Sequence, residues 1–112
     1  MRAGSPGKNS GDENLIRRRA LADETKVEVT FTVPTLGHPE PISVLGDFNG
    51  WDDAATVMTP VNDNELTATV VLHEQRRYEF RYRDARGRWF NDEEADDYVD
   101  SPTGAINGVL LT

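Results

Sequence analysis

From Lys26 onward apolar and polar residues alternate with a period of two. Across residues 26–33, KVEVTFTV, the side chains of Val27, Val29, Phe31 and Val33 share one face, and Lys26, Glu28, Thr30 and Thr32 share the other. Successive side chains leave a strand on opposite sides, so this pattern predicts a half-buried strand. Pro34 ends it, and TLGHPEP, 35–41, reads as a loop. ISVL, 42–45, is a second strand, stopped at Gly46. VNDN, 61–64, is a turn, and Leu66, Ala68, Val70 and Leu72 then alternate with Thr67, Thr69 and Val71 in a third strand. Tyr78, Phe80 and Tyr82 alternate with Arg77, Glu79, Arg81 and Arg83 in a fourth. Ala85-Arg86-Gly87 turns the chain into a return strand over 88–90, and 106–111 is the last strand. Helix signals are nearly absent. Short strands with one apolar face each predict an all-β, immunoglobulin-like sandwich, in which two sheets bury those faces against each other. The predicted core is Val27, Val29, Phe31, Val33, Ile42, Val44, Leu66, Ala68, Val70, Leu72, Tyr78, Phe80 and Tyr82.

Length and charge narrow this further. The 112 residues permit one domain and exclude an α/β barrel or a doubly wound sheet with a second domain. The formal charge of -8 is unevenly spread. Residues 1–25 carry five basic and four acidic residues, whereas 26–112 carry seven and sixteen. Residues 1–14, MRAGSPGKNSGDEN, have too little apolar surface to offset the entropy of ordering. Residues 1–25 are therefore expected to be a disordered or weakly ordered tail, with a short basic junction at 15–19, and 26–112 the domain. There is no cysteine, hence no disulfide, thiol nucleophile or cysteine-bound zinc. No stretch approaches the ~20 apolar residues of a membrane span, and the N-terminus has no apolar leader, so the expected location is cytoplasmic. A sequence pI near 4.6 argues against a nucleic acid as the main partner.

Twenty carboxylates invite a catalytic reading, but a glycosidase needs two of them placed around a cleft, and a small sandwich offers little cleft. No serine-hydrolase or phosphate-loop motif is present, and His38 and His73 lie in a turn and at a strand end. The expected protein is not an enzyme. The acidic run Asp92, Glu93, Glu94, Asp96, Asp97 and Asp100 fails the calcium-loop spacing, because Asp97 stands where the loop glycine belongs; it reads as a solvated loop. Arginines 76, 77, 81, 83, 86 and 88 interleave with aromatics, yet the alternation turns those aromatics inward, away from stacking on bases. The tryptophans stand outside every apolar stripe. Trp51 follows the Asn49-Gly50 turn, and Trp89 must face away from Phe90. Indoles at loop edges offer flat apolar faces to the C–H side of a sugar ring, or else cap the ends of the core.

Four elements then occur in one order: GDFNGWD, YEFRY, RWFND and, near the C-terminus, GAINGV. Together they resemble the glycogen-binding, isoamylase N-terminal-type carbohydrate-binding module. That module occurs in the β subunit of AMP-activated protein kinase, and related domains precede the barrels of glycogen-branching and debranching enzymes. The resemblance covers residues ~26–112 and implies an early-set sandwich. It also implies that Trp51 and Trp89 are stacking tryptophans and that Asn107 is a hydroxyl-binding asparagine. Glu79 falls where kinase-type modules carry a lysine, and Arg81, two residues on along the same face, is the substitute donor. Thr103 and Ala105 stand where that module has a leucine and a threonine, and the 83–88 turn is longer.

The sequence-level expectation is thus a non-catalytic α-glucan (glycogen, starch) binding module that targets or regulates glycogen-metabolising partners. Its site is Trp51, Trp89, Asn107, Arg81 and Glu79, with no metal and no cofactor. Its ligands would be glycogen, maltooligosaccharide or cyclodextrin, with an associated glycogen-metabolising enzyme or kinase, and without nucleic acid or membrane. The alternative is an adaptor domain of the same fold that has lost sugar binding. Such an adaptor would use the arginine hairpin or the acidic run against a protein of opposite charge.

Overall fold

The structure, a computed structural model, describes residues 15–23, 25–35 and 37–112. Among these residues nine strands follow in order: β1 (Leu15–Ala20), β2 (Lys26–Pro34), β3 (Ser43–Gly46), β4 (Thr59–Pro60), β5 (Glu65–His73), β6 (Arg77–Arg83), β7 (Trp89–Phe90), β8 (Asp97–Asp100) and β9 (Ile106–Leu111). They form two antiparallel sheets, one ordered β1-β2-β5-β4 and the other β3-β6-β9-β8, with β7 also pairing β6. This is the predicted all-β sandwich. No helix among the described residues is long and apolar enough to cross a membrane.

Alternation produces the core directly. Every second residue of β2 is buried, and β2 and β5 pair over their full length from Lys26–His73 to Pro34–Glu65. Phe31 is fully buried at the centre, with ring centroids 5.2 Å from Phe80, 5.9 Å from Phe48 and 6.3 Å from Tyr82. Rings at these separations attract beyond the area they bury. Val70 and Tyr78, both predicted core, are only partly buried and pack against its margin. Leu45, Met58, Val109 and Leu110 are buried although the alternation did not select them. Met58 is drawn in by backbone, since its N–H donates to the Ile42 carbonyl at 2.8 Å.

The tail assignment needs correction. Residues 15–20, predicted to belong to a disordered or weakly ordered segment, form an edge strand paired with β2 from Leu15–Thr32 to Ala20–Val27. Only Ile16 packs against the core, which is why periodicity missed the strand. Backbone pairing and long side chains supply the rest. Arg18 reaches across to the other sheet, donating through Nε to the Leu111 carbonyl at 3.1 Å and pairing with Asp96. Arg19 pairs with Glu28 at 3.1 Å. Exposed pairs of this kind contribute about 0–1 kcal/mol each, and charge on an edge strand discourages further strand addition. Residues 1–14 lie outside the described residues.

The acidic run also differs from the expected solvated loop. Asp92 is buried and accepts a hydrogen bond from the Tyr82 hydroxyl at 2.5 Å, and Asp97–Asp100 is strand β8. Burial, and then the Asp92 charge, push the Tyr82 phenol well above its ordinary value.

The 84–88 turn is organised by a second buried carboxylate. Asp84 Oδ1 accepts from the N–H groups of Arg86 and Arg88 at 2.9 and 3.1 Å, while Oδ2 meets His38 Nδ1 at 3.1 Å and Arg88 Nε at 3.3 Å. The His38 ring lies on Phe90, with centroids 3.7 Å apart and 15° between planes. Burial alone would raise the Asp84 pKa, but His38, the two backbone amides and the Arg88 charge outweigh it and hold it at about 2. A carboxylate depressed in the folded state stabilises it above the unfolded pKa, about 3.9, and loses that contribution as pH falls through the folded value. We therefore expect Asp84→Asn to lower the urea midpoint at pH 6 and to differ much less from the parent near pH 2. An equal deficit at both values would show that the carboxylate charge is not what holds this turn.

Candidate functional site

The site is built where GDFNGW meets the outer face of β6. Gly46 must be glycine for reasons of space, since an added Cβ would lie 2.7 Å from the Glu79 carbonyl oxygen and 2.9 Å from Phe80 Cβ. That close approach seats a short 3-10 helix, Asp47–Asn49, against the sheet. Asn49 locks it, with Oδ1 accepting from Gly46 N–H at 3.0 Å and Nδ2 donating to the Val44 carbonyl at 2.8 Å. Gly50 and Trp51 follow in left-handed backbone, with φ of 69° and 58°. For a bulky residue that conformation is unfavourable by roughly 1–2 kcal/mol, so the fold holds Trp51 there against its local preference.

Asp47 fixes the indole. One carboxylate oxygen accepts from Trp51 Nε1 at 3.2 Å, and the other accepts from the Glu79 backbone N–H at 2.7 Å, tying the ring to β6. Asp47 was not selected from the sequence. Its signal was present, since it stands four residues before Trp51 in the same motif.

Trp51, Glu79, Arg81 and Asn107 line one open groove of about 330 Å³, with Asp47 and residues 101–103 completing it. Asn107 Nδ2 donates to Glu79 Oε1 at 2.9 Å, and Arg77 Nη1 donates to Glu79 Oε2 at 3.0 Å. These two contacts, Asn107 first, hold the Glu79 carboxyl below its ordinary value. Asn107 is 5% exposed, and its Oδ1 is buried with no hydrogen-bond partner among the described residues. The Arg81 Nε is in the same condition, and desolvation lowers the Arg81 pKa. An unmatched buried acceptor and an unmatched buried donor in one groove suit a group that both donates and accepts, as a hydroxyl does.

Trp89 behaves differently from Trp51. It is 39% exposed and faces away from Phe90, as the alternation requires. Its ring centroid is 6.4 Å from that of Trp51, with 52° between planes, yet it does not line the groove. The Arg81 guanidinium lies over it, Cζ 4.3 Å from the ring centroid, and Arg83 Cζ lies 5.4 Å away. Thr103 is at the groove edge, where its hydroxyl meets that of Ser101 at 2.9 Å.

The rest of the arginine hairpin is largely neutralised within the chain, Arg77 by Glu79, Arg83 by Asp53 and Arg88 by Asp84. A second depression of about 400 Å³ lies between Pro41, Ser43, Asp53 and the 83–87 turn. It presents no aromatic face, and Arg83 there is already engaged by Asp53 and the Gly87 carbonyl. Among the described residues no three carboxylate or histidine groups converge on a cation position.

No protein family model matches the chain. A curated amylopullulanase from Thermoanaerobacterium thermosulfurigenes is 30% identical over 83 residues, which make up 72% of this chain and 4% of that protein. The chain thus spans a small part of that relative's length. The similarity relates this β-sandwich distantly to a module of a carbohydrate-active enzyme.

Proposed function

We propose that the chain is a non-catalytic α-glucan-binding module, with the groove beside Trp51 as its sugar site. The observation that carries this reading is the convergence of Trp51, Glu79, Arg81 and Asn107, residues from three separate motifs, on one groove with an unmatched donor and acceptor. An apolar ring face beside hydrogen-bonding groups is the chemistry a pyranose requires. The amylopullulanase similarity supports a glucan over other polyols. The carboxylates support binding rather than hydrolysis. Glycoside cleavage needs a protonated acid with a raised pKa opposite a second free carboxylate. Here Glu79 is held below its ordinary value, and both Asp47 oxygens are occupied by Trp51 and the Glu79 amide.

The test is a chemical-shift titration with β-cyclodextrin and maltoheptaose, read at the two indole N–H signals. Trp51 is expected to shift and saturate. Invariant indole and Asn107 amide signals up to millimolar sugar would end the sugar-binding reading.

A further inference from the structure

We propose that the second wall of the groove is the Arg81 guanidinium, and that Trp89 serves as a positioning residue behind it rather than offering its own indole face to the ligand. This rests on the sugar-binding reading and names the surfaces that would meet the ring.

The topology places Arg81 at a break. β6 pairs with β9 up to Phe80–Gly108, and from Tyr82–Phe90 onward it pairs with β7. β3 occupies the opposite edge of β6. Arg81 therefore stands where one neighbouring strand gives way to the next, with Asn107, the residue preceding Gly108, beside that gap. Asn91 bridges it, donating through Nδ2 to the Ile106 carbonyl at 3.1 Å.

Three observations then converge. The guanidinium lies over Trp89 at 4.3 Å, and Arg81, not Trp89, lines the groove. Arg81 also has no carboxylate partner among the described residues. Glu79, the nearest acid along the strand, is taken by Arg77 from its other side, and Arg83 is taken by Asp53. Its Nε is buried and unmatched, as is Asn107 Oδ1 in the same groove. A guanidinium is planar, weakly hydrated and carries its N–H donors in the plane. Backed by an indole, it is held flat by the cation–π attraction. It then presents a stacking face, with its in-plane N–H donors at the rim of that face. The ring seated here would lie between Trp51 and Arg81, with its hydroxyls toward the in-plane donors of the guanidinium. The ligand class is a neutral hydroxylated ring.

The test is a double-mutant cycle on β-cyclodextrin affinity in the full chain, using Arg81→Leu, Trp89→Leu and the double variant, with amide-spectrum dispersion as the folding control. Each single change is expected to weaken binding about tenfold, and the double no more than about twofold further, because Trp89 acts through Arg81. Trp89→Tyr keeps an aromatic face under the guanidinium and is expected to restore most of the affinity. Arg81→Lys keeps the charge without the plane and is expected to bind like Arg81→Leu. Unchanged or tighter binding by Arg81→Leu, or additive losses in the double variant, would overturn the assignment while leaving sugar binding intact. If Trp89→Leu does not fold, Arg81→Leu decides by the same criterion. A parent protein that ignores β-cyclodextrin would overturn both readings together.

Discussion

Replacing Phe31 with alanine is expected to destabilise the sandwich by about 3–5 kcal/mol, a large part of what holds a domain of this size together. Phe31 is fully buried and touches rings from three directions: Phe48 stacked at 18°, Phe80 tilted at 50° and Tyr82 edge-on at 84°. Close-packed aromatics cannot all move into the space one of them vacates, so the cavity persists and its cost adds to the lost transfer energy. For about 100 residues each kcal/mol corresponds to roughly 4–8 °C, so the thermal midpoint should fall by about 12 °C or more. Val71→Ala on the outer face of β5, at a side chain 54% exposed, is the control and should stay within about 0.5 kcal/mol of the parent. The same loss should reach the groove, because Phe48 belongs to the 3-10 helix and Phe80 lies between Glu79 and Arg81. A Phe31→Ala protein within 1 kcal/mol of the parent would mean that the aromatic cluster is not the keystone its geometry indicates.

That central cluster was legible in the sequence because β2, β5 and β6 keep a strict period of two, and a one-residue slip would expose every apolar side chain at once. Regions governed by something other than side-chain period were not legible. β1 carries Arg17, Arg18 and Arg19 where a core strand would carry apolar residues, and it is held by backbone pairing and by Arg18, which crosses to Leu111 and Asp96. β4 is two residues of exposed edge. Asp92 looks in sequence like one more acid in a solvated run, and only the register that brings Tyr82 over it explains its burial. The site shows the same division. Position alone singled out Trp51 and Trp89, and Glu79, Arg81 and Asn107 were named only through the family resemblance. Neither was enough to show that Asp47 fixes Trp51, or that Arg81 stands between Trp89 and the groove. Both facts depend on the spacing between the 3-10 helix and β6, and on the change of partner strand at Arg81. Those are tertiary properties, and only the four-residue spacing of Asp47 and Trp51 within one motif left a local trace.

Trp51→Gly separates the site from the fold most cleanly. The expected result is a protein whose stability lies within about 1 kcal/mol of the parent and whose affinity for β-cyclodextrin falls roughly thirtyfold or more. The two halves have different physical origins. At φ 58° glycine is the residue the backbone prefers, so the substitution relieves a cost of about 1–2 kcal/mol. What it gives up is the packing of a half-buried ring, including the Nε1 bond to Asp47 and the contact with Trp89. Those losses oppose the backbone gain and are of similar size, because the ring is outside the core cluster. Binding has no such offset, since the indole face is the largest apolar surface the groove offers. Trp51→Ala should lose the same affinity but be less stable than Trp51→Gly, because alanine keeps the left-handed penalty without the ring. That ordering, read from urea midpoints, tests the strain argument independently of any sugar. If Trp51→Gly unfolds, the indole is a structural cap. If it folds and binds cyclodextrin as before, the groove beside Trp51 is not the sugar site. Stability retained together with binding lost is the outcome required of a tryptophan held in an unfavourable backbone conformation for the sake of a ligand.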